Sequence, residues 1–396
     1  MSESLRKKSQ KIICLVPTLD SSLFELRLLR PLKLCAKLFN WDIAFRLISD
    51  CTGEVIEGGD VFIVQRDANQ FVVEVIQLIN RMGKPIIFEI DDLLTEIPSF
   101  LSHHQILIDN RHYLQQALRE STAISTTTKR LSQALQKYNK NVNVVPNCVK
   151  CNGNGIAGHA DVDSEDVSLI VASSDKVLVD MVIEPILRAQ KELGVKVVTV
   201  GPISLEFIKA GVVVEQHEIM PYEDFLELIQ SVSNLVGIIP LDDSIFSSCK
   251  SPIKYFDYSL AGVPTLASNV LPYLDFIEHE NTGILVDNNN DAWFDAIKGV
   301  SLSSKKRKHL SLSARDYVIK GYPLERCAEL WNDIIEGAIK LRPAPSIGGI
   351  NLTLGSKNLN LIWMLKQIIS LKSYKKAFRF YRNHGLLSLI RYVFFR

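Results

Sequence analysis

Short, continuous apolar runs alternate with longer amphipathic segments along most of the chain. In the first half the runs are KIICLVP (11–17), WDIAFRLI (41–48), DVFIVQR (60–66), PIIFEID (85–91), AIST (123–126) and NVNVVPN (141–147). Such Val- and Ile-rich runs predict strands buried on both faces, as in a parallel sheet. Helical periodicity fills the gaps: a segment to about Phe39, one through Val72, Val73, Val75, Ile76, Leu78 and Ile79, one around 105–119 and one over 128–138. The second half repeats the scheme with VSLIVAS (167–173), VKVVTVG (195–201), VVVEQHEI (212–219), NLVGIIP (234–240), PTLAS (264–268) and TGILVD (282–287). Helices are predicted over 178–193, from Pro221 to Val232, over 252–261 and over 272–279. Strand–helix alternation implies right-handed βαβ units, so the fold class is α/β, with two doubly wound, Rossmann-like domains in series.

Between the halves lies CNGNGIAGHADVDSED (151–166), rich in Gly, Asn and Asp and without an apolar period, which reads as a linker. A second boundary falls at LRPAPSIGG (341–349), where Pro343 and Pro345 stop the preceding helix. The expected organisation is a first domain over 1–150, a linker over 151–166, a second domain over 167–342 and a tail over 343–396.

At 396 residues the chain suits two or three domains. Its formal net charge of +1, from 45 Lys/Arg against 44 Asp/Glu, is a sum over two unlike parts. Residues 351–396 hold nine of the basic side chains and none of the acidic ones, leaving a body of 36 basic and 44 acidic residues, a net of −8. An acidic body excludes a generally basic nucleic-acid binder. Seven scattered Cys form no disulfide framework and point to a reducing, cytoplasmic compartment. The apolar run Ile12 to Pro17 is too short for a signal segment or a membrane span.

Several motifs look chemical without the context that chemistry needs. Gly153-Asn-Gly155-Ile-Ala-Gly158 matches G-x-G-x-x-G, but no helix period follows it, so it belongs to the linker. Cys148 and Cys151 form a lone CxxC, whereas a structural zinc site needs four ligands. The eight His are dispersed, and neither a G-x-S-x-G elbow nor a P-loop occurs. Asp91 and Asp92 end an apolar run, the strand end at which α/β folds bind ligands; capping the next turn is their alternative role.

The most informative stretch is CKSPIKYFDYSLAGVPTLASN (249–269). Ser251 suits an N-cap, Pro252 the first helical position, and Gly262 the closing residue. The expected helix N-terminus gathers Lys250, Lys254, free backbone N–H groups and, three residues after Lys254, Asp257. A diphosphate suits the cations and N–H groups, and a ribose diol suits the carboxylate. The plain alternative is a capped helix with an exposed Lys254–Asp257 pair, worth about 0–1 kcal/mol.

Residues 250–297, KSPIKYFDYSLAGVPTLASNVLPYLDFIEHENTGILVDNNNDAWFDAI, resemble the donor-site region of the group 1 glycosyltransferases, retaining nucleotide-sugar enzymes of the GT-B fold. Asp257, Ala261, Gly262, Val263, Pro264 and the run Thr282-Gly283-Ile284-Leu285-Val286 fill the family's slots. FEIDDLLTEIP (88–98), ISTTTKRLSQAL (124–135) and VVPNCV (144–149) are similar to its first domain and interdomain exit. The resemblance implies two domains facing each other across a cleft. It also implies a nucleotide-diphospho-sugar donor on the second domain and a glycan or lipid-linked acceptor on the first, in polysaccharide assembly. It calls for no cofactor and no metal.

The implied donor residues are Lys176, Gly201, Lys250, Ser251, Pro252, Ile253, Lys254 and Asp257; Asp91, Asp92 and Lys254 are the implied catalytic set. Ser21, Ser22 and Arg30 are placed on the acceptor side. The chain departs from the family where a sugar-binding carboxylate is expected and Cys249 stands, and where SSDK (173–176) supplies Lys176 but no Arg. Those departures leave a second reading open, a non-catalytic nucleotide-sugar-binding or scaffold subunit. The tail interleaves Trp363, Phe378, Phe380 and Phe395 with its cations, which suits an anionic lipid surface and a peripheral position at a membrane; packing on the acidic body or a partner, and nucleic-acid binding, are the alternatives.

Overall fold

A computed structural model describes residues 10–66, 68–101, 104–150 and 166–345. The Gly-rich linker motif, Cys151 and the basic tail lie outside the described residues. Each of the twelve apolar runs contains a strand. The first six are β1 (Lys11–Val16), β2 (Asp42–Leu47), β3 (Val61–Gln65), β4 (Ile86–Glu89), β5 (Ala123–Thr126) and β6 (Val142–Val144). The second six are β7 (Ser168–Ala172), β8 (Lys196–Val200), β9 (Glu215–His217), β10 (Leu235–Ile239), β11 (Thr265–Ser268) and β12 (Ile284–Val286). They form two six-stranded sheets, and every pairing is parallel.

The two sheets are wound differently. The first has the order β2-β1-β3-β4-β5-β6 and the second β12-β11-β10-β7-β8-β9. The winding therefore reverses between β1 and β3 in the first sheet and between β7 and β10 in the second. At such a switch point neighbouring connections leave to opposite faces, opening a crevice at the C-terminal strand ends. The helices do divide this way. Helix Arg30–Phe39 buries Leu32 and Cys35 against one face of the first sheet, whereas Gln70–Arg81 buries Val72, Val75, Ile76 and Ile79 against the other. In the second domain Lys176–Leu193 and Tyr222–Ser231 cover opposite faces.

Helix details depart from periodicity alone. The expected segment over 105–119 divides into His104–Asp109 and Arg111–Glu120, and that over 272–279 shrinks to Tyr273–Phe276. The helix approaching Phe39 contains a π turn over Glu25–Leu29, the kind of local widening often found at functional sites. It places Arg27 inside the first domain.

The halves are tied together by more than the linker. Helix Leu324–Lys340 follows the second sheet in sequence but packs on the first domain. Its Trp331, Ile335 and Ala338 join Leu28, Leu32, Val61 and Ile63 in one buried cluster. The return crosses beside the outgoing chain, where the Val149 backbone N–H donates to the Tyr322 carbonyl at 2.8 Å. From the second domain, Phe246 and Cys249 enter the first domain's core. Just after this helix, Arg342 also reaches the first domain, donating to the Gly83 carbonyl at 2.6 Å.

Candidate active site

The C-terminal ends of both sheets meet around the loop that precedes helix Ile253–Ala261. This helix closes at Gly262, whose φ of 77° is the left-handed conformation that glycine adopts without a Cβ penalty. Its start differs from expectation. Pro252 occupies the cap position and no side chain caps the helix. Ser251 instead turns its hydroxyl toward the first domain, accepting from the Asn147 amide at 2.8 Å. The first turn thus keeps backbone N–H groups without a side-chain cap, the arrangement that favours an anion.

Two cations stand at this turn. Lys250 lies 3.8 Å from Asp92 of the first domain, with its ammonium 4.6 Å from the Phe246 ring centroid. Lys254 is half-buried, and burial followed by the nearby Lys250 charge lowers its pKa to about 8. Asp257 is buried, not part of an exposed pair. It accepts a short hydrogen bond of 2.5 Å from the Tyr222 hydroxyl. Burial pushes its pKa up to about 7, against the lowering effects of the Tyr222 hydrogen bond and Lys254.

On the first domain, Asp91 and Asp92 follow β4. Arg66, which follows β3 with a φ of 51°, places its guanidinium 3.1 Å from Asp91 and 3.9 Å from Asp92. Burial raises the Asp91 pKa to about 6, with Arg66 opposing. The Lys250, Asp92, Arg66 and Asp91 side chains therefore form a continuous charged row across the domain junction, with two charges of each sign.

A second row of contacts fixes the geometry. Arg27 is fully buried and donates to Glu89 at 2.7 Å, to the Val145 carbonyl at 2.7 Å and to the Asn147 side-chain oxygen at 3.0 Å. Asn147 passes this on to Ser251. Thr128 donates to the Cys249 carbonyl at 2.9 Å. First-domain side chains thus hold the loop just before the helix that carries Lys254 and Asp257. Cys249 itself is buried, and burial raises its thiol pKa, so it supplies no carboxylate-like acceptor.

The remaining expected residues divide. Arg30 reaches the junction: it bonds Glu25, pairs with Glu223 of the second domain and lies 5.0 Å over the Tyr222 ring. Ser21 caps the short helix Ser22–Phe24 by accepting from the Phe24 N–H, and Ser22 is exposed in its first turn. Gly201 sits at the end of β8 with φ of 100°; a Cβ there would lie 2.5 Å from the Ser173 carbonyl, so only glycine lets the two strand-end loops approach. Lys176 pairs with Glu206 at 3.2 Å.

Five further residues emerge only in three dimensions: Arg66, Thr128, Asn147, Asp175 and Tyr222. Asp175 caps Lys176–Leu193 by accepting from Val177 at 3.1 Å, and Lys250 lies near enough to lower its burial-raised pKa. Arg66 and Asn147 end predicted apolar runs and Asp175 lies just past one, so their positions had a readable signal, although the partner of Asn147, 104 residues away, did not. Thr128 and Tyr222 had none, because their partners are 121 and 35 residues away.

No protein-family model matches the chain, and no curated protein matches it. Solved structures do match. Sucrose-phosphate synthase from Thermosynechococcus elongatus aligns at 14% identity with a TM-score of 0.62, covering 83% of this chain and 98% of that one. Anabaena HepE, solved with UDP and glucose, aligns at 11% identity with a TM-score of 0.59, covering 83% of this chain and 100% of that one. A TarM mutant from S. aureus, solved with Fondaparinux, alpha-GlcNAc-glycerol and UDP, aligns at 13% identity with a TM-score of 0.50; 69% of this chain covers 55% of TarM. The architecture is therefore that of the GT-B glycosyltransferases, two Rossmann-like domains with their strand ends turned toward a shared junction. Among the described residues no helix is long and apolar enough to cross a membrane, and no cluster of three or more His, Cys, Asp or Glu could hold a metal ion.

Proposed function

We propose that this chain transfers a sugar from a nucleotide-diphospho-sugar to a hydroxylated acceptor. The observation that carries the reading is the pair Lys250 and Lys254 at an uncapped helix start, with Asp257 one turn further on. A diphosphate lies against the two ammonium groups and the backbone N–H groups of residues 253–255. The ribose hydroxyls reach Asp257 once they replace the Tyr222 hydroxyl, whose bond to the carboxylate is of the same kind. Charge builds on the leaving phosphate as the sugar departs, and Lys254 stabilises it there. The two lysines thus supply positive charge at the leaving group from the protein itself. Lys176, already paired with Glu206, has a secondary place in donor binding.

The acceptor lies on the first domain, beside Asp91 and Asp92. Asp91, half-buried and with its pKa raised to about 6, can take a proton from an acceptor hydroxyl at ordinary pH. In the retaining version of the reaction, which the family resemblance implies, the leaving phosphate shares this role. A glycan or lipid-linked acceptor in polysaccharide assembly fits the same arrangement.

Binding of UDP, GDP and ADP sugars, measured by thermal shift and calorimetry on the full chain, tests the donor site. A shift with at least one of them, lost in Lys254→Ala, is expected. Shifts that persist unchanged in Lys254→Ala and Asp257→Ala would sink the placement. The buried thiol of Cys249 favours the second reading, a donor-binding subunit without turnover. Slow hydrolysis of the bound donor separates the two, because only a transferase activates the anomeric carbon.

A further inference from the structure

At the first sheet's switch point, between the C-terminal ends of β1 and β3, lies a cavity of about 270 Å³. Pro17, Ala68, Leu94, Ile106, Leu107 and Leu114 line it. Among the described residues no aromatic ring does. Its polar members are Arg66 and Asn110, and the Asn110 amide is engaged with the Ile106 carbonyl at 3.0 Å. Arg66 is also the first-domain end of the charged row that leads through Asp92 to Lys250. Arg66 thus links the cavity to the junction at which the donor phosphates are placed. Ile106 on its rim is 62% exposed, an apolar side chain without protein cover.

We infer that this cavity receives the aliphatic chain of the acceptor, with the hydroxyl that is glycosylated lying over the Arg66–Asp92 pair. This deepens the glycosyl-transfer reading and rests on it. Three observations select the ligand. Winding reversal places a crevice here, where open α/β sheets bind ligands. The mostly aliphatic lining offers burial to methylene groups, and among the described residues it has no ring to stack on. Among the described residues, Arg66 and Lys250 at the mouth face Asp91 and Asp92. A neutral, hydroxylated head beside an alkyl chain therefore suits the mouth better than a phosphate, which would face two carboxylates. The volume admits a short or branched stretch of chain, with the remainder outside.

The test uses the full chain and three soluble probes: octyl β-glucoside below its micellar concentration, methyl β-glucoside and octyl phosphate. Binding is read by saturation-transfer NMR and calorimetry, with UDP as an independent probe of the donor site. Each buried methylene contributes about a fourfold gain in affinity, so octyl glucoside is expected to bind at least tenfold more tightly than methyl glucoside. Ile106→Asp should abolish that margin while leaving UDP affinity unchanged. Equal affinity for the octyl and methyl glucosides overturns the proposal, as does a margin that survives Ile106→Asp. Octyl phosphate binding more tightly than octyl glucoside overturns the neutral head. Failure of UDP to bind, with the octyl margin intact and sensitive to Ile106, would count against the donor reading and leave the cavity assignment standing.

Discussion

The two strand-end edges use nearly the same scaffold for opposite purposes. Each is the C-terminal edge of a six-stranded parallel sheet with helices on both faces. The first edge pairs its cations with carboxylates and keeps one carboxylate over: Arg27 faces Glu89, Arg66 faces Asp91 and Asp92, and Asp92 also faces Lys250. The second edge sets Lys250 and Lys254 side by side at a helix start, with Asp257 held by a neutral tyrosine and Asp175 nearby. An edge of closely paired charges is suited to hold geometry; two adjacent cations at a helix start are suited to meet an anion. Chemistry on this fold thus depends on a few loop residues, not on the sheet.

The largest expected effect tests the first edge. Arg27→Met leaves Glu89 buried without its partner and should cost about 3–5 kcal/mol of stability, read from urea unfolding. A loss under 1 kcal/mol would mean that the pair is not part of the framework. On the second edge the balance reverses. Lys254→Ala should weaken nucleotide-diphosphate binding by about 10- to 100-fold with little loss of stability, because it removes a cation whose neighbour is another cation. Marked destabilisation with normal binding would break the contrast between the edges.

The third effect is a pH profile. Donor phosphates need Lys254 protonated, and that fails as pH rises through about 8. The ribose needs Asp257 ionised, and that fails as pH falls through about 7. Affinity for UDP should therefore peak between these values, and Lys254→Ala should lose the alkaline limb alone. Stability carries the matching sign. The folded pKa of Asp257 lies above the ordinary carboxylate value of 3.8, so the folded state binds more protons between about 4 and about 7. This group's contribution to stability is complete below about 4 and is lost as pH rises toward 7. Asp257→Asn should flatten that slope in a series of unfolding curves.

A smaller effect joins the edges. Asn147→Ala unfastens Ser251 from Arg27 and should raise the donor KM several-fold at modest cost in stability, about 1–3 kcal/mol. Thr128→Val should act in the same direction through the Cys249 carbonyl, and Thr128→Ser should restore it, since the hydroxyl is the group that bonds. The smallest effect is at the rim. The exposed Arg130–Asp275 pair crosses between the domains at 3.0 Å, and Arg130→Ala should change stability by less than about 1 kcal/mol.

What could be read along the chain was local in origin. Each strand announces itself because burial on both faces demands an unbroken apolar run, and all twelve runs contain strands. Gly262 closes its helix because only a residue without a Cβ takes that turn cheaply. The cations at 250 and 254 and the carboxylates at 91 and 92 were legible because strand ends and helix starts are themselves legible. The expected cap at Ser251 failed because an amide from the first domain competes for its hydroxyl.

By itself, then, the sequence determined the layers, the strand list and the residues available at each strand end, because those follow from contacts within a few positions. Tertiary structure alone decided the rest. It set the two winding orders, which depend on which side of a sheet each new strand joins. It returned helix Leu324–Lys340 to the first domain, because Trp331 and its neighbours find their apolar cover there. It buried Asp257 under Tyr222 and brought Asp92 to 3.8 Å from Lys250. Those pairings join residues 35 and 158 positions apart, and proximity at such separations is a property of the folded chain, not of any local pattern.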